Sequence, residues 1–178
     1  MQVSQPPPDT SPVLAASPAQ TAPAAVQPVT RHAFDYAVVR VVPRVEREEF
    51  INAGAIVHSP ALQFLGARVE LDRRRLLALA PDLDPEQLDE IERYLQGIVA
   101  ICAGAPGAGP LARLSISQRF HWLIAPRSHV VQTGPVHAGM CSDPESALEH
   151  LVELAVRVPG RPAQRPAPGR IDRPARSG

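Results

Sequence analysis

The chain has 178 residues with 44% hydrophobic and only 4% aromatic content, so one ordinary domain is within reach, with a core of Val, Leu, Ile and Ala. A formal net charge of zero gives no field to steer the whole protein onto nucleic acid, which disfavours that partner. No apolar run approaches the roughly 20 residues of a membrane helix, and the opening residues lack the basic start and apolar run of a secretion signal.

Residues 1–30 carry seven prolines and a single charge, Asp9. Such a segment cannot bury enough apolar surface to fold and is expected to be an extended tail. Residues 31–158 are expected to form one domain. The run FDYAVVRVVP (34–43) alternates and is rich in valine, which predicts a strand. Phe34, Tyr36, Val38, Arg40 and Val42 share one face of it, and Asp35, Ala37, Val39 and Val41 the other. A charged connection leads to FINAGAIVHSP (50–60), predicted as a second strand that pairs with the first as a hairpin. Gly54 within it suggests a bulge or a close backbone approach. FLGARVEL (64–71) reads as a third strand.

Asp72 can cap a short helix over 73–80, which ends at Pro81. Asp84, Pro85 and Gln87 together make the start of a longer helix. Its residues Leu88, Ile91, Leu95, Ile98 and Cys102 recur at helical spacing and should face the core. The glycines of AGAPGAGP (103–110) mark a flexible loop, without the lysine-bearing pattern of a phosphate-binding loop. SQRFHWLIA (117–125) and HVVQTGPV (129–136) read as two further strands joined by a turn at Pro126, Arg127 and Ser128. Asp143 then caps a last helix with an apolar stripe of Leu148, Leu151, Val152 and Ala155. Residues 159–178, with five prolines and five arginines, read as a second disordered tail, too sparsely charged to form a dense basic patch. The expected fold is α+β: a mostly antiparallel sheet of about five strands with roughly two or three helices on one face.

The segment 119–135, with His137 just beyond it, holds most of the chemistry. Arg119, His121, Arg127, Ser128, Gln132 and His137 lie among strand-forming apolar residues. Arginine, hydroxyl and backbone N–H can together hold a phosphate or a carboxylate, or the arginines can form salt bridges to the acidic 46–49 cluster or to Glu70. Arg40, Glu49 and Asn52, near the junction of the first two strands, could join them in one polar edge site. His121, His129 and His137 recur every eight residues, and His137 precedes Cys141 by four. Neither spacing supplies the ligand set that zinc requires, so no metal and no cofactor is expected. Cys102 and Cys141 form no disulfide framework and are expected as reduced thiols of a cytoplasmic protein. A nucleophile pair of Cys141 and His137 is the most concrete catalytic alternative, with the helix start at Asp143 placed to lower the thiol's pKa.

Taken in order, FDYAVVRVVPRVEREEFINAGAIV, LALAPDLD and RFHWLIAPRSHVVQTGPVHAGMCSDPESALEHL resemble the bacterial family catalogued as domain of unknown function 3037, over about residues 34–155. Ala53 and His58 depart from the residues expected in most relatives. The resemblance implies no reaction. It implies a cytosolic partner instead, because members are often encoded beside a small kinase-like protein of the HipA type. The expected role is non-catalytic binding or regulation of such a kinase, with an exposed sheet edge as a route for strand addition. The alternative is an enzyme or ligand-binding domain acting on a phosphate-bearing small molecule through the Arg/Ser/His edge.

Overall fold

Two alternating runs, each apolar on both faces, form the middle of the sheet. In the computed structural model, which describes residues 29–158, β1 (His32–Arg44) pairs on one side with β2 (Glu49–Ser59) and on the other with β4 (Val131–Cys141). β3 (Phe64–Val69) pairs with β2. The order is β3-β2-β1-β4, with every pairing antiparallel. The expectations for the tails fall on residues 1–28 and 159–178, outside the described residues.

Four helices complete the fold: α1 (Arg73–Leu79), α2 (Pro85–Ala103), α3 (Ile116–Ile124) and α4 (Pro144–Ala155). The caps read from the sequence are present. Asp72 accepts the backbone N–H of Arg74 and Arg75. Asp84 and Gln87 close a reciprocal capping box, with Pro85 in the first turn. The Asp143 carboxylate accepts from Glu145 and Ser146, and the Ser146 bond chiefly holds its pKa below the ordinary value.

The class is α+β as expected, with four strands and four helices. The difference from five strands lies at residues 117–125, predicted as a strand and found as α3. Its apolar residues Phe120 and Leu123 pack inward at helical spacing. Ser115 and Gln118 supply a capping box that fixes where the helix starts. The following strand is longer than the predicted 129–136 and runs to Cys141.

The alternation in β1 sorts the core into two layers. Val39 and Val41 join Ile51, Ala53 and Ile56 of β2 beneath α1, α2 and α3. Phe34, Ala55 and Val57 face the other way and pack with Leu148 and Val152 of α4. Helices therefore cover both faces, three on one and α4 on the other. All five residues of the predicted α2 stripe are buried. β2 carries a bulge: Val39 lies opposite Gly54 and Arg40 opposite Asn52, so Ala53 is the extra residue. Gly54 also sits tight, since a Cβ there would come within 2.5 Å of the Arg68 carbonyl oxygen. Both readings of that glycine hold. α4 is tied down by Arg157, which pairs with Glu70 and Glu149, and by the Asn52 Nδ2, which donates to the Ala155 carbonyl at 2.9 Å.

His58 is 3% exposed and stacks on Phe120, with ring centroids 4.7 Å apart. Its Nε2 lies 3.1 Å from the Ser117 hydroxyl, while Nδ1 is buried without a partner. Burial lowers its pKa from the ordinary 6.5, against a smaller opposing pull from Asp35. The unfolded chain therefore binds this proton more readily than the folded one, so the contribution is intact above the ordinary value of 6.5 and is lost as pH falls below it. The expected result is a urea midpoint that drops between about pH 7 and about pH 5.5, with a smaller drop in His58→Leu. Equal pH dependence in the two proteins would contradict this.

Candidate functional site

Arg119 turns inward. It is 9% exposed, and its Nη1 donates to the carbonyls of Ile101 and Cys102 at 2.8 and 2.9 Å. These are last-turn carbonyls of α2, where the helix lacks N–H partners and carries partial negative charge. Gly104 ends α2 with φ +66°, and a Cβ there would lie 2.6 Å from the same Nη1. A left-handed glycine thus leaves the space that the guanidinium occupies. The burial that holds this arginine also pushes the Cys102 thiol up to about 12, with Arg119 opposing in part, so that cysteine is a core residue.

Arg127 turns outward. It lies in the connection between α3 and β4, with its guanidinium carbon 3.7 Å from the centre of the Trp122 ring and a hydrogen bond donated to the Trp122 carbonyl. Beside it a cavity of about 300 Å³ opens between α2, the end of α3 and the start of β4. Ile98, Ile101, Leu123 and Val131 form its apolar floor. Tyr94 and Trp122 stand at its sides, Arg93 and Arg127 also line it, and Gln132 and Thr133 supply an amide and a hydroxyl. His129 stacks on Tyr94 at 5.0 Å, and the Gln132 amide donates to the His129 carbonyl at 2.7 Å. The Thr133 hydroxyl donates to the Leu123 carbonyl. Among the described residues, neither Arg93 nor Arg127 has a carboxylate within ion-pair distance.

Gly97 lines the same cavity, and a Cβ built on it would meet nothing within 4 Å. A glycine inside a helix costs about 1 kcal/mol relative to alanine. Neither packing nor backbone geometry requires it here.

The outer side of β4 is the second feature. No residue from 128 to 142 is charged, and Val136 and Met140 are 43% and 57% exposed. The opposite edge strand, β3, carries Arg68, which pairs with Glu145 and Glu149 of α4. Pro135 sits where the β1–β4 register shifts, between the Ala37–Val136 and Val39–Thr133 pairs, the kind of place an outer strand tolerates proline.

Of the residues singled out in the sequence, the structure brings Arg127 and Gln132 together in the cavity. Ser128 is exposed in the neighbouring connection. His121 is exposed on α3, with Nδ1 2.7 Å from the Ser117 carbonyl oxygen. His137 lies on β4 against the Tyr36 ring at 5.3 Å. Arg40 stands between Asn52 and Gln132 in the strand register but stacks on Phe50, 4.3 Å from the ring centre. Glu49 pairs with Arg47, and Glu70 with Arg157, so neither acid is paired with Arg119 or Arg127. His137 and Cys141 are four residues apart on one strand, roughly 13 Å at strand rise. Burial, with Asp143 adding to it, raises the Cys141 pKa, the direction opposite to activation. Among the described residues no group of three or more His, Cys, Asp or Glu could hold a metal ion, and no helix is long and apolar enough to cross a membrane.

Arg93, Tyr94, Gly97, Trp122 and Thr133 complete the cavity without having been singled out from the sequence. A faint signal was there: Tyr94, Gly97 and Ile101 follow at steps of three and four beside the main stripe of α2, which widens its apolar face.

This is an α+β domain on a four-stranded antiparallel sheet with one uncharged outer strand and an arginine-rimmed cavity at its side. The chain belongs to the family described as Protein of unknown function (DUF3037), which matches residues 36–156. No curated protein and no solved structure matches it.

Arg119 and Arg127 should separate in a stability experiment. Arg119→Met is expected to cost about 1.5–3 kcal/mol in urea unfolding, because it removes charged hydrogen bonds and leaves carbonyls unsatisfied. Arg127→Ala should cost about 1 kcal/mol or less, as a surface cation–π contact. Equal costs would show that both are structural.

Proposed function

We propose that this domain is a non-catalytic binding module that takes up an extended segment of a protein partner along β4. The single observation that carries the reading is the uncharged outer strand with Val136 and Met140 exposed. Outer strands that remain alone are normally blunted by charge, proline, a bulge or cover, because their free N–H and C=O groups pair with any strand that approaches. β3 follows that rule through Arg68, whereas β4 carries no charge and is interrupted only at Pro135, where its register with β1 shifts. Main-chain hydrogen bonds would supply affinity, and the alternate side chains Val136, Ala138 and Met140 would supply specificity.

The family resemblance points to a HipA-type kinase as the partner and to a cytoplasmic setting. An enzyme acting on a phosphate-bearing molecule through Arg119, Arg127 and Ser128 has less support, because Arg119 is buried with its Nη1 on the α2 carbonyls, away from the exposed Ser128.

The test is co-purification of the chain with a HipA-type kinase from the same cell, the partner that the family resemblance suggests, comparing wild type with the double substitution V136K/M140K. Both positions are exposed, so stability should change by less than about 0.5 kcal/mol per site. Wild type should retain the kinase, and the charged strand should lose at least tenfold in affinity. Equal retention, or no complex with wild type, would overturn the reading.

A further inference from the structure

The cavity beside Trp122 is not needed for strand addition, and it has the attributes of a separate small-molecule site. We infer that it binds a small aromatic carboxylate, with the ring between Tyr94 and Trp122 and the carboxylate on Arg93 and Arg127. This goes beyond the β4 reading and stands or falls without it.

Three observations lead there. The volume of about 300 Å³ lies at the small end of ligand cavities, which suits a molecule of one or two rings. The apolar floor and two aromatic side chains accept a flat apolar body, while the two arginines without carboxylate partners ask for an anion. The third observation is Gly97. Its missing side chain leaves the cavity open, although a Cβ would clash with nothing and would strengthen the helix. A position that sterics leave free and helix propensity disfavours is accounted for when something else fills the space.

The anion is a carboxylate rather than a phosphate by electrostatics. Phosphate sites draw on helix N-termini and converging backbone N–H groups. This cavity borders the middle of α2, whose carbonyls are paired within the helix, and the C-terminal end of α3, whose partial negative charge disfavours a second negative charge on the ligand. Arg127 already donates to the Trp122 carbonyl, and the Thr133 hydroxyl to that of Leu123, so the remaining guanidinium N–H groups are the donors that face a planar acid.

Trp122 is the only tryptophan in the chain, so its fluorescence reports on the site directly. The experiment is titration of the full chain with phenylacetate, phenyl phosphate and neutral 2-phenylethanol, in wild type, Gly97→Leu and Arg93→Gln. Phenylacetate should give a saturable change in wild type. Gly97→Leu should weaken it at least tenfold while keeping or raising the melting temperature, which separates a filled cavity from a damaged fold. Arg93→Gln should weaken phenylacetate severalfold and leave 2-phenylethanol unchanged. No saturable response to phenylacetate, or an equal response in Gly97→Leu, would overturn the site. Phenyl phosphate binding as tightly as phenylacetate would overturn the carboxylate assignment, and 2-phenylethanol doing so would overturn the role of the arginines. V136K/M140K, which tests the β4 reading, should respond to phenylacetate as wild type does.

Discussion

The guanidinium of Arg119 on the last carbonyls of α2 is the contact that the functional corner depends on. It joins residues 17 and 18 positions apart in the chain and fixes where α3 starts relative to the end of α2. It satisfies backbone acceptors that a helix end otherwise leaves to water, and Gly104 makes room for it. With α3 held there, Phe120 seals the sheet against His58, and Trp122, two residues on, lines the cavity. The connection that follows brings Arg127 back over Trp122 before β4 begins. One buried cation thus sets the positions of the aromatic wall, the half-buried Arg127 and the first residues of the outer strand.

The sheet imposes a second constraint. Because β1 and β2 are apolar on both faces, helices must lie on both sides, and α4 takes the side that α1–α3 leave. Its acids then reach the β3 edge, where Arg68 and Arg157 meet Glu145, Glu149 and Glu70. One edge of the sheet is consequently dressed with charge and the other is bare. That asymmetry follows from the packing of α4, and it is why the proposed partner strand is placed on β4 rather than β3.

Much of the fold was legible because local signals agreed with the tertiary outcome. The Asp84–Pro85–Gln87 start, the Leu88-to-Cys102 stripe and the division of β1 into two faces each rest on side chains that act within a few residues of themselves. Residues 117–125 were misread because Phe120, Trp122 and Ile124 alternate as a strand would, with residues that favour strands. The Ser115–Gln118 box and the bonds from Arg119 to α2 decide for helix. The box lies in the sequence, but the bonds to α2 do not show there. The site was legible only in part for the same reason. Arg127 and Gln132 stand in the stretch whose chemistry drew attention, while Arg93, Tyr94 and Gly97 come from a helix 30 or so residues earlier and meet them only once the chain is folded.

The central claim is that β4 is an unfilled edge awaiting a strand. Amide hydrogen exchange along Val131–Cys141, measured on the chain alone and with the proposed partner, a HipA-type kinase, tests it most directly. The account predicts that the alternate amides pointing away from β1 exchange rapidly in the free chain and become protected in the complex, while those bonded to β1 are protected in both. Protection of all β4 amides in the free chain, or an exchange pattern unchanged by the partner, would contradict it.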